Sequence, residues 1–308
     1  MLSNIANRIF PSEANALRPR LACEITSAGV VAGRPGAAEQ EIVSGYAPLR
    51  PGVLAAGLQT PNFSDRAAVA AALRQALDQI SQKEGQVTVV IPDAAVRVLM
   101  LDFDLLPPKA IEALPIIRFR LRKLVPFEVD HAAVSYQLMP VKEGLVRVIV
   151  AVSPAEVLAE YESAVREAGY EPGVVLPSTL AALAAVSGEE PSLVINRNGS
   201  SVTTAITRQN ELLLHRTLEL TEKEWMPEEN TLHAAEELQQ SVSVAIAYFE
   251  DTLESPPRQL LSCGIGGPEE LVRLLEDDRI PVRDLVPMSY SKTMPRGILA
   301  GVVGALAS

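Results

Sequence analysis

The sequence predicts an α/β protein built from two related halves. Three observations lead there. Short β-permissive runs alternate with amphipathic helical runs along all 308 residues. Each half opens with a hairpin whose turn is small and polar, at 26–29 and at 198–201. Segment 145–176 reads as strand, helix, strand, a βαβ-like unit. The bulk properties agree: hydrophobic residues make up 48% and charged residues 21%, enough for a sizeable core, in two domains or one composite domain.

The elements follow in order. Residues 1–18 carry Leu2, Ile5, Ile9 and Phe10 at roughly helical spacing; they read as a frayed leader, with a short docking helix as the alternative. The run 21–32 is apolar with a small-residue centre and forms a hairpin around Ser27, Ala28 and Gly29, with a further strand at 41–46. The clearest helix is 64–83, with Ser64 as N-cap, Asp65 in its first turn, and Val69, Leu73, Leu77 and Ile80 on one face. Strands at 86–92 and 95–104 precede a two-proline turn and a helix at 109–124, basic at its end through Arg118, Arg120, Arg122 and Lys123. Paired strands at 131–139 and 144–152 lead to a helix at 154–168, capped by Ser153 and stopped by Gly169. A short strand at 174–175 and an alanine-rich helix at 178–186 complete the first half.

The second half holds strands beginning at 192, 201 and 211, with a turn at 209–210, and a polar link at 226–230. A long helix at 231–253 turns Leu232, Ala235, Leu238, Val242, Ala245 and Phe249 inward. A strand at 259–262 enters the glycine run 263–267, followed by a helix at 268–276, a strand at 281–285 and a closing helix at 296–306.

Several function classes drop out. Lys plus Arg is 27 against 38 Asp plus Glu, a net charge of −11, which argues against a protein whose whole surface attracts nucleic acid or anionic lipid. The two cysteines, Cys23 and Cys263, exclude a disulfide scaffold or a cysteine-rich zinc module and fit a reducing compartment. The three histidines, His131, His215 and His233, have no ligand spacing, so no metal site is expected. No serine or cysteine nucleophile motif is present, and no catalytic residue is assigned. The start lacks the continuous apolar core of a signal peptide, and the longest apolar run, 297–307, falls short of the ~20 residues of a membrane span. The chain reads as cytoplasmic.

The glycine turns carry the remaining signal. Backbone N–H groups at such turns form anion-binding concavities, and the run 261–267 lets backbone approach a flat ligand between a strand and a helix.

In this order and spacing the chain, from about 20 to 307, resembles the actin-like ATPases, and among them the PilM proteins of type IV pilus assembly platforms. Segments 21–31 and 193–206 stand where that family has its two phosphate hairpins, and 260–271 where it has its adenosine loop. The most specific match is Leu106-Pro107, the basic helix, Leu124-Val125-Pro126-Phe127 and then Val134-Ser135-Tyr136-Gln137-Leu138. The resemblance implies an actin-like two-half fold with a small inserted α+β domain. The expected division is a leader at 1–19, a first half at 20–98 and 174–191, an insert at 99–173 and a second half at 192–308.

The resemblance also implies a nucleotide site with ATP and Mg²⁺ as cofactors. If it is retained, Thr26, Ser27, Ala28 and Gly29, then Asn196, Asn198, Gly199 and Ser200, then Gly264, Gly266 and Gly267 would hold the nucleotide. The departures weaken it. Glu24 replaces the family acid, Thr26 the following glycine and Val31 the phosphate-facing lysine; Asn196 and Asn198 stand at the second Asp and Gly. Without the second carboxylate and the cation, turnover is not expected, and the site reads as degenerate.

The working surface implied by the resemblance is a cleft between the first half and the insert. It would grip the cytoplasmic tail of a PilN-like inner-membrane protein, alongside other platform or motor proteins, with no nucleic acid and with the membrane reached only through partners. Phe119, Leu124, Val125 and Phe127 are the expected apolar anchors, with Arg120 and its basic neighbours steering. The reading is therefore a cytoplasmic scaffold of a pilus or type II secretion platform. An active ATPase, a small-molecule kinase and a cell-division actin homologue of the same fold stay open as alternatives.

Overall fold

The computed structural model describes residues 19–37, 41–81, 85–140, 144–209, 211–220, 227–275, 279–287, 294 and 297–307, with backbone alone at 227–232. The leader at 1–18, the tip of the turn at 210, the start of the polar link at 226, the side chain of Leu232 and residue 296 of the closing helix lie outside the described residues.

The first sheet contains β1 (Leu21–Thr26), β2 (Gly29–Pro35), β3 (Ile42–Pro48), β4 (Gln86–Ile91) and β8 (Glu171–Pro177), in the order β3-β2-β1-β4-β8. The second contains β9 (Ser192–Asn198), β10 (Ser201–Arg208), β11 (Glu211–Glu219), β12 (Leu260–Gly264) and β13 (Val282–Asp284), in the order β11-β10-β9-β12-β13. In each, the first three strands form an antiparallel meander and the last two join it in parallel. The duplication expected from the two hairpins is thus a duplication of whole sheet topology.

The chain between β4 and β8 forms a third, antiparallel sheet: β5 (Arg97–Phe103), β7 (Val146–Ser153) and β6 (Ala133–Leu138), in that spatial order. Helix α1 (Arg66–Asp78) covers the first sheet, and α2 (Ala110–Leu121) covers the third by burying Ala113, Ile117 and Leu121 against Leu101, Val148 and Val150. Helix α3 (Ala155–Glu167), within the segment expected to be the insert, buries Val157, Tyr161 and Val165 in the core of the first sheet. Helices α4 (Ser178–Leu183), α5 (Pro227–Leu253), α6 (Gly267–Leu275) and α7 (Ala300–Ala307) complete the order. One core runs through both halves, since Val194, Ala205, Leu261 and Leu299 join Leu73, Val89 and Leu180 in it.

Four local expectations are corrected. Segment 145–176 is not a βαβ unit: β7 is the central strand of the third sheet, with both edges taken by antiparallel partners, and β8 crosses to the first sheet. Asp65, not Ser64, caps α1; its Oδ1 accepts the Ala68 N–H at 3.0 Å, while the Ser64 hydroxyl donates to Gly52 O at 2.8 Å. Ser153 does not cap α3, because its hydroxyl donates to Ala95 O at 2.8 Å and Pro154 occupies the cap position. Helix α5 starts at Pro227 rather than 231, extending over the expected link; proline suits a first helical position, where its missing N–H breaks no bond. Gly169 does end α3, in a left-handed conformation at φ 87°. Among the described residues no helix is long and apolar enough to cross a membrane.

Candidate functional site

The two hairpin turns meet where the halves face each other. A Cβ added at Gly199 would stand 3.0 Å from Ser27 Oγ, so the tips nearly touch. The first turn satisfies itself: Thr26 Oγ1 accepts the Gly29 N–H at 3.2 Å and donates to Gly29 O at 2.8 Å. At the second, Ser201 Oγ donates to Asn198 O at 2.9 Å. Beyond the turns, Gly264 holds φ 82°, and a Cβ there would strike Arg197 O on the neighbouring β9, so the position requires glycine on both counts.

Behind the tips lies a buried polar clasp between the halves. Asn196, on β9, directs Nδ2 at Ser178 Oγ (2.9 Å), Thr179 Oγ1 (3.0 Å) and Asp93 Oδ2 (3.3 Å). Asp93 also accepts from the Thr179 N–H at 3.0 Å and from the Thr179 hydroxyl. Ser178 Oγ donates onward to Glu24 Oε1 at 2.5 Å. Burial pushes Glu24 up to about 8, and the Asp93 charge adds to this, against the opposing hydrogen bonds from Ser178 and the Gly301 backbone. His215 approaches from β11, its pKa lowered by burial and its Nε2 buried without a hydrogen-bond partner.

Two cavities flank the tips. One, of 690 Å³, is lined by Ser27, Ala28, Asn198, Gly199 and Ser200, together with Arg197 and the 49–56 loop. The other, of 630 Å³, is lined by Thr26, Ala28, Gly264, Gly266 and Gly267, with Tyr46 and Ile298. Nine of the eleven residues expected around a nucleotide therefore line adjoining cavities that share Ala28 and Ile265. The other two do not: Gly29 sits inside the hairpin against Ala47 O, and Asn196 lies in the clasp.

Mg²⁺ finds a sparse donor set here. It prefers carboxylates that hold its water shell. Among the described residues Asp284 is the one carboxylate lining either cavity, in the second; Glu24 and Asp93 line neither, Glu24 favours its protonated form at neutral pH, and the Asp93 oxygens are taken by Thr179 and Asn196. Arg197 brings a cation to the first cavity, yet Glu270 pairs with it at 3.1 Å. Sequence reading missed Asp93, Ser178, Thr179 and Arg197. The one signal for Asp93 was an acid directly after a buried strand.

A third cavity, of 390 Å³, opens between β6 and β8, the facing edges of the third and first sheets. Val134, Ser135, Val174, Val175 and Leu158 line it, with Glu162 as a carboxylate. None of the five expected tail-binding residues does. Phe119, Arg120 and Leu124 are exposed on or just beyond α2, whereas Val125 and Phe127 are half-buried against the residues packed between α2 and the third sheet.

No protein-family model and no curated protein sequence matches the chain. Solved structures do. The chain is similar to a chain of the PilM–PilN type IV pilus biogenesis complex, with 20% identity and a TM-score of 0.69, over 94% of this chain and 98% of that one. It is also similar to the cytoplasmic domain of EpsL, an inner-membrane component of the type II secretion system of Vibrio cholerae, with 14% identity and a TM-score of 0.52, over 94% of each chain. Paired five-stranded sheets of one topology, cavities at their hairpin tips and these matches together give the chain the actin-like α/β fold with a small α+β unit inserted in its first half.

Proposed function

We propose that this protein is a non-catalytic component of a type IV pilus or related secretion assembly platform. In this reading it works at the inner face of the inner membrane and holds the extended cytoplasmic tail of a PilN-like membrane protein. The observation that carries the reading is the groove between β6 and β8. Two sheet edges face one cavity, so an extended peptide could pair its backbone with either edge while apolar side chains enter among Val134, Val175 and Leu158. The similarity to a chain of a PilM–PilN complex supports the choice of partner. Under this reading the tail anchors differ from those expected at Phe119 and Leu124.

The clasp supports the absence of turnover, since Asn196 spends its amide on Ser178, Thr179 and Asp93 instead of leaving room for a metal-holding acid. Co-purification from native membranes, followed by identification of bound proteins, tests the partner. A single-span protein should come down with the wild type and be lost with Val134→Asp or Val175→Arg. Equal recovery with both variants would exclude the groove. Calorimetry with Mg-ATP and a phosphate-release assay test the rest: steady phosphate release would overturn the non-catalytic reading.

A further inference from the structure

Helix α2 buries Ala113, Ile117 and Leu121, and turns its other side to solvent. That outer side is apolar. Ile111 is 80% exposed, Phe119 65% and Ile116 40%, with Leu105 just before the helix and Leu124 just after it also exposed. Cations lie among them. Between Leu105 and Leu124 the chain has five Lys or Arg and one acid, Glu112, which Lys109 meets at 3.8 Å. Arg118 turns inward to the carbonyls of Val129 and Ala132, and Arg122 pairs with Asp130 at 2.8 Å. Arg120 and Lys123 are exposed and have no ion-pair partner among the described residues.

We propose that the outer face of α2 docks on an anionic lipid bilayer, with Ile111, Ile116 and Phe119 entering the interface and Arg120 and Lys123 facing the headgroups. Apolar tips between unpaired cations on a convex helix suit a planar, negatively charged interface, which needs no complementary groove. The charge of the rest of the chain selects the orientation. With −11 overall and a positive balance here, an anionic surface repels the body and attracts this face. The inference departs from the expectation that the membrane is reached through partners alone, and it is independent of the β6–β8 groove.

Co-sedimentation of the full chain with phosphatidylglycerol-containing vesicles tests it, with pure phosphatidylcholine vesicles as reference. The wild type should bind the anionic vesicles at least tenfold better, and lose that preference in high salt. Arg120→Glu with Lys123→Glu should lower partitioning by more than tenfold, at about fivefold per lost cation before reversal. Ile111→Ser with Phe119→Ser should abolish binding while circular dichroism and the melting temperature stay unchanged, because these side chains leave no core. Equal binding to both vesicle types, or binding that survives the Ile111/Phe119 change, would overturn the proposal. So would a wild-type dimer in sedimentation velocity that the Ile111/Phe119 change dissolves, since the face would then belong to a second copy. Val134→Asp, which tests the groove, should leave vesicle binding intact.

Discussion

Replacing Glu24 by glutamine should flatten the pH dependence of stability. In the folded chain Glu24 holds its proton up to about 8, against an ordinary value of 4.5. The folded value is raised, so its contribution to stability is fully present below about pH 4.5 and is lost as pH rises towards 8. Across that window the loss amounts to roughly 5 kcal/mol at ~1.4 kcal/mol per unit, and about 3 kcal/mol of it has gone by pH 7. The titratable groups around Glu24 do not offset this, since burial raises the Cys23 and Cys263 thiols and keeps them neutral, and Asp93 acts in the same direction as burial. A glutamine side chain at this position keeps one acceptor oxygen for the donors Ser178 and the Gly301 backbone, and it has no proton to retain. Its second amide proton lacks an acceptor, at a cost of about 1 kcal/mol. The Glu24→Gln variant should therefore match or fall slightly below the wild type near pH 5 and exceed it by about 2 kcal/mol near pH 7. Urea unfolding followed by circular dichroism at several pH values measures the difference. Parallel pH profiles for the two proteins would refute the reasoning.

Asn196→Asp removes the amide that joins Ser178, Thr179 and Asp93 and adds a third carboxyl to the clasp, so it should cost about 3 kcal/mol or more, with a larger drop in urea midpoint above neutral pH than below it. Gly304→Ala should cost more than about 3 kcal/mol in thermal unfolding, because a Cβ there overlaps the Ala181 carbonyl and forces α7 off α4. Tyr161→Phe loses a buried hydrogen bond to Asn62 Oδ1 at 2.9 Å; that oxygen still accepts from the Gly57 N–H, so the loss in chemical denaturation should stay near about 1 kcal/mol.

The hairpins, the long helix and the glycine loop were legible because each is a local pattern: alternation, a 3.6-residue period, or glycine where a positive φ is required. The clasp was not, because Asp93 and Thr179 are 86 residues apart and Asn196 reaches back 103 to Asp93. Nothing near Asn196 announces that its amide will serve three acceptors. The 145–176 error has a related cause. A strand–helix–strand pattern is the same whether its strands share a sheet or not, and only the partners of β7 decide which. At α1, Ser64 and Asp65 were equally good caps by residue type, and a contact with Gly52 twelve residues away separated them. The β6–β8 groove lies between edges that belong to different sheets, so its lining had no signature in either strand alone.

Helix α7 belongs to the far end of the sequence yet lies on β1, β2 and β4, with Val302 and Val303 in their core and Gly304 against α4. During synthesis, one side of the first sheet must wait uncovered until residues 300–307 have left the ribosome. A nascent chain paused anywhere in the second half would carry that bare β surface, a natural ligand for holding chaperones, and chains cut before residue 300 should aggregate even though every strand of the first sheet is already present.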